Sequence, residues 1–171
     1  MTTTEDADVL RTALTPLPPP DPDITAFLNL EARLADEARY SEWELLWDTD
    51  ALYWVPMHPD DDREINLSYI NDNRRRIKSR VAQLNTGNRH SQTPPSVMRR
   101  LLSNSEVLAE TDDTVTVASN FALFEYRHDQ RVWAGRVIHV VRRTADGLRL
   151  ASKTVHLISA GGPVDTLAFL I

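Results

Sequence analysis

The chain has no cysteine, only five glycines, and no apolar run near the roughly 18–20 residues that cross a bilayer. The missing cysteines remove disulfides, thiolate metal sites, thiolate-held iron–sulfur clusters and a cysteine nucleophile. So few glycines leave little material for phosphate-cradling loops, and neither G-x-x-x-x-G-K-[ST] nor G-x-G-x-x-G occurs. The G-x-S-x-G elbow of hydrolases is missing too. The histidines His58, His90, His128, His139 and His156 are dispersed, so no H-x-H, H-x-x-x-H or H-E-x-x-H pair seats a metal on one face.

What is present is ordinary globular material: 171 residues, 42% hydrophobic, 26% charged, net charge −6. Acids at Glu5, Asp6 and Asp8 stand where a secretion signal needs positive charge, so the expected location is the cytoplasm, with no membrane span. Residues 1–23 hold five acids against Arg11 and five of the ten prolines. Pro18-Pro19-Pro20 favours extended structure, so 1–23 reads as an acidic, proline-rich arm and 24–171 as a single domain. The arm is either a disordered leader or a segment lying along a partner.

A helix is expected from Asp23 as N-cap, with Ile24, Phe27, Leu28, Leu30 and Leu34 inward and Glu31, Arg33, Asp36 and Glu37 on the other face. Ser41 and Glu44 spell a capping box for a short second helix with Trp43, Leu46 and Trp47 as its apolar face. Residues 51–57 read as a strand and 64–69 as a short one with Ile65 and Leu67 on one face. Asn71-Asp72-Asn73 caps a third helix over 74–84, with Gly87 as its stop. Four long strands follow, over 97–110, 114–127, 131–143 and 148–159, and Asp146-Gly147 marks the last hairpin. A change of face within the second of these predicts a bulge or strong curvature there. Leu167, Phe169 and Ile171 alternate as a final strand would, at a subunit junction or in the core. Helices followed by an antiparallel meander make an α+β protein.

Between Arg74 and Arg100 lie eight bases and no acid. Seven are arginine, whose fork suits carboxylates. Nucleic acid is a poor fit, because the chain is acidic overall and no aromatics interleave the bases. The residues Arg74, Arg75, Arg76, Arg80, Arg99 and Arg100, with Phe169, are the candidate protein interface; a solvated helix face is the plainer alternative.

Several stretches together resemble one family. Phe27-Leu28-Asn29-Leu30-Glu31-Ala32-Arg33-Leu34-Ala35-Asp36 is similar to an opening F-L-x-x-E-A-x-L-L-D helix. The run from Trp43 to Met57 resembles a W-x-x-L helix entering a Y-W-x-P strand. Ile77 to Leu84 resembles an R-V-x-R-L helix. Pro94-Pro95-Ser96, Arg99 and Ser103-Asn104 resemble P-P-S-x-T-R-H-x-x-S-N, except that Met98 and Arg100 replace the Thr and His. The family is that of the small (beta) subunits of bacterial aromatic ring-hydroxylating dioxygenases.

The resemblance implies the cone-shaped α+β fold of the nuclear transport factor 2-like (cystatin-like) superfamily, with a strongly curved mixed sheet. It implies a non-catalytic scaffold with no cofactor or metal of its own. The partner would be a large (alpha) subunit carrying a Rieske [2Fe-2S] cluster and mononuclear Fe(II), three large and three small subunits forming a hexamer. Electron-transfer components would act through the large subunit. Glu64 to Tyr69 leans toward the branch acting on benzoate-like aromatic acids. A different reading of the same fold is a stand-alone isomerase or dehydratase using Tyr53 or Tyr69, Asp50, and His139 or His156 inside the cone.

Overall fold

The computed structural model describes residues 15–86, 95–159, 162, 167 and 169–171. Gly87, Pro94 and most of the arm lie outside these. Helix α1 spans Pro22–Asp36, α2 Tyr40–Leu45 and α3 Arg74–Asn85. The strands are β1 Trp47–Pro56, β2 Ser68–Asn73, β3 Val97–Glu110, β4 Thr114–Tyr126, β5 Gln130–Thr144 and β6 Gly147–Leu157. They form one sheet in the order β2-β1-β6-β5-β4-β3. All neighbours are antiparallel except β1 and β6, so the sheet is mixed. The helices pack on one face, and the core lies between.

Helix α1 starts a residue before the expected cap. Pro22 takes the first helical position, where its missing N–H costs nothing, and Asp21 is the cap residue. The buried stripe is Ile24, Phe27, Leu28, Glu31, Ala32, Leu34 and Ala35. Glu31 therefore lies inward, against expectation. The expected capping box does not form either. Ala38 turns the chain at φ 55°, Arg39 takes the cap position, and Ser41 sits inside α2 as acceptor for Asn85. Trp47 leaves the helix to begin β1. Its ring centroid lies 5.0 Å from Trp43 and 5.9 Å from Tyr53, an aromatic knot joining α2 to the sheet.

The short strand comes later than expected. The side chains of Asp61 and Asp62 accept from the backbone of His58 and Glu64, folding 58–66 into a loop. Ile65 and Leu67 consequently stand 82% exposed. Asn73 caps α3 as expected, accepting from the N–H of Arg76 at 3.1 Å. The four later strands fall within a residue or two of their expected bounds. The predicted bulge sits in the neighbouring strand: β4 pairs β5 without a break, while β3 shifts register after Ser103 and after Val107, with Asn104 at φ 51°.

Two glycines are required where they stand. Gly147 closes the last hairpin at φ 105°. Gly135 lies so near β6 that a Cβ there would be 2.0 Å from the carbonyl oxygen of His156. The sheet's outer strand β3 is covered by α1 and by the arm, where the N–H of Val107 donates to Pro18 O at 2.8 Å.

Candidate functional site

Two places concentrate charge: the interior of the cone and the arginine surface. Glu31 reaches the interior from the apolar stripe of α1. Its Oε1 accepts from Trp43 Nε1 at 2.6 Å and from Lys153 Nζ of β6 at 2.9 Å. His139 of β5 faces the same carboxylate, with Nε2 3.9 Å from Oε2, too far for a direct hydrogen bond. Neither ring nitrogen of His139 has a hydrogen-bond partner. The side chains of Glu31, His139 and Lys153 are all at most 3% exposed.

Burial alone would raise the Glu31 pKa, but Lys153, His139, Arg100 and the Trp43 hydrogen bond reverse it and hold it at about 2. Burial lowers His139 to about 4, Glu31 opposing, so the ring is neutral near pH 7. Burial also lowers Lys153, against the pull of Glu31. A cavity of about 10 Å³ lies among Glu31, Arg100, Phe121, His139, Lys153 and Ile171, enough for one water and no substrate.

The proposed acid–base set does not assemble. Tyr53 points inward, but its hydroxyl donates to Ile171 O at 2.8 Å and accepts from the N–H of Ile171 at 3.0 Å. Asp50 is held at the sheet margin by Arg142. His156 lies half-buried beside the Trp54 ring, centroids 6.4 Å apart. Tyr69 packs against the core from its edge. Glu31 and Lys153, which do meet His139, were not among the candidates.

The arginines divide into three groups. Arg100 is internal: its Nε and its backbone N–H both donate to Asp36 at 2.7 Å, and its guanidinium also reaches Leu170 O at 2.8 Å. Arg74 pairs with Glu44 at 2.9 Å and Arg80 with Asp72 at 2.5 Å, both partly buried. Arg75, Arg76 and Arg99 are exposed, and among the described residues no acid pairs with them. Phe169 is 2% exposed and packs edge-on against Trp133, centroids 5.6 Å apart. Leu170 and Ile171 are buried beside it, so the end of the chain does not alternate like a strand among the described residues. Arg100 and Phe169 thus serve this chain's own interior, and the exposed candidates reduce to Arg75, Arg76 and Arg99.

Among the described residues no cluster of three or more histidines or acids could hold a metal, and no helix is long and apolar enough to cross a membrane. Without cysteine the chain cannot supply the thiolates of a Rieske cluster.

The chain is similar to several known proteins. The beta subunit of the N,N-dimethyl phenylurea N-demethylase of Sphingobium sp. is 34% identical over 77% of this chain and 76% of its own. The beta subunit of the 3-phenylpropionate/cinnamic acid dioxygenase of Photorhabdus laumondii is 32% identical over 71% of this chain and 73% of its own. The crystal structure of the benzoate 1,2-dioxygenase beta subunit of Burkholderia mallei superposes with a TM-score of 0.74 at 24% identity, covering 90% of this chain and 99% of that one. An NTF2-like protein with a cystatin-like fold from Novosphingobium aromaticivorans aligns with a TM-score of 0.57 at 18% identity, over 100% of this chain and 99% of that one. The family model described as "Ring hydroxylating beta subunit" matches residues 30–160. With that match over most of its length, the chain belongs to the beta subunits of ring-hydroxylating oxygenases.

Proposed function

We propose that this chain is the non-catalytic scaffold of an aromatic ring-hydroxylating dioxygenase in the cytoplasm. Residues 24–171 are its body and 1–23 an arm. Its partner is a large subunit bearing the Rieske cluster and the mononuclear iron, in a hexamer of three large and three small subunits. Electron-transfer components address the large subunit. Arg75, Arg76 and Arg99 contact acidic groups of that partner. The substrate class is a benzoate-like aromatic acid; relatives of this chain include small subunits named for 2-halobenzoate and benzoate dioxygenases.

One observation carries the reading: among the described residues, the interior space beside Glu31, His139 and Lys153 is only about 10 Å³. Convergence of Glu31, His139 and Lys153 favours the isomerase or dehydratase reading, but a 10 Å³ space admits no substrate. The test is an affinity purification of this chain from its native cells, with mass spectrometry of the eluate. A larger polypeptide with a C-x-H…C-x-x-H motif is expected. A lone chain would contradict the subunit reading.

A further inference from the structure

A groove of about 310 Å³ runs between the second half of α1 and the first half of β3. Asp36 and Arg100 line it as a closed pair, their side chains 6% and 4% exposed, so they present no net charge. Two further arginines line the same groove, Arg33 from α1 and Arg99 from β3. Both are exposed, and neither has an acidic partner among the described residues. Arg99 spends one N–H on the carbonyl of Met98, at 2.8 Å. The remaining acid, Glu37, is engaged by Arg39 at 3.5 Å. The lining is thus a concave surface with two arginines that no described acid pairs and one weakly held acid, Glu37, whose partner Arg39 is itself bound to Glu42. A planar carboxylate is the group that two such forks recognise best.

We infer that this groove receives a carboxylate side chain from an acidic segment of the large subunit, gripped between Arg33 and Arg99. The inference rests on the subunit reading above and adds Arg33 and a definite recess to it. Asn29, Arg33, Glu37 and Arg99 leave the groove exposed along one side, so a small free acid would stay largely hydrated there. A chain segment covers that side. Asp36 and Arg100 fix the spacing of the two arginines, because their hydrogen bonds tie the end of α1 to β3.

The test titrates the full chain against its large subunit and reads the dissociation constant. Arg33→Glu and Arg99→Glu should each weaken assembly about tenfold or more, with a smaller loss for Arg33→Lys, which keeps charge without the fork. Glu37→Gln should tighten it, an effect of sign that a merely structural residue would not produce. A second arm adds sodium benzoate to the isolated chain and follows the Arg33 and Arg99 side-chain NMR signals. Unchanged affinity in both Arg→Glu variants, with the wild type assembling normally, overturns the inference and leaves the subunit reading intact. Tight benzoate binding at these signals without an effect of the variants on assembly overturns it in favour of a small-acid site. A wild-type chain that binds no large subunit removes both.

Discussion

Glu31 and Lys153 are 122 positions apart in the chain and meet at 2.9 Å in the middle of the cone. One comes from α1, the other from β6, so the bond ties distant parts of the described fold together. It is also closed to solvent, with the side chains 1% and 3% exposed. Such a pair gains little over a well-packed apolar pair, because desolvation offsets the attraction. Breaking it is another matter, since one buried charge is then left alone.

Glu31→Leu or Lys153→Met alone should therefore destabilise the chain by about 3–5 kcal/mol. The double variant should recover part of the loss, because the Trp43 N–H that donates to Glu31 stays unpaired. Urea unfolding of the two singles and the double checks this, and the coupling is the difference between them.

Stability should depend on pH through His139. Its folded pKa of about 4 lies below its ordinary 6.5, so the unfolded chain takes up the proton first. Stability is full above pH 6.5 and falls as pH drops toward 4. Glu31 and Lys153 face the ring and Arg100 acts on it, and Glu31 adds a further loss only below its ordinary 4.5, toward 2. His139→Leu should flatten the pH 4–6.5 slope by about 1.4 kcal/mol per pH unit, one proton's worth. Unfolding curves at stepped pH would show an unchanged slope if the ring were charged in the fold.

Gly135→Ala should be among the most damaging small substitutions, costing on the order of 3 kcal/mol or more. The added methyl meets the His156 backbone, which cannot yield without opening the β5–β6 ladder. Thermal unfolding reads the loss directly, and Gly162→Ala, with its nearest contact at 3.3 Å, is the mild comparison.

Reversing Arg75 and Arg76 to glutamate together should move the complex toward free subunits at physiological salt while the isolated chain melts unchanged. Both side chains are exposed, so their loss touches no core. Native mass spectrometry of the reconstituted complex gives the ratio of free to assembled subunit. An unchanged ratio would count against a contact there.

The long strands were legible because sharp turn chemistry, Asp112-Asp113 and Asp146-Gly147 among it, bounds each one. The strand near 64–69 was displaced because consecutive aspartates fold the backbone onto their own side chains, which periodicity does not register. Glu31 was misread by residue type. Its position between Phe27, Leu28, Leu34 and Ala35 is on the buried stripe, and that spacing was the available signal. What the spacing lacked was its partners, since Trp43 and Lys153 arrive from other elements. Arg33 was missed for a similar reason: it lies outside the Arg74–Arg100 run, and only the packing of α1 on β3 brings it beside Arg99.

The scaffold role is tested by reconstituting the complex from separately purified large and small chains, then measuring iron in each chain and in the assembly. Iron is expected only with the large chain, and the assembly only when this chain is added. Iron travelling with this chain, or a large chain that assembles and turns over unaided, would contradict that role.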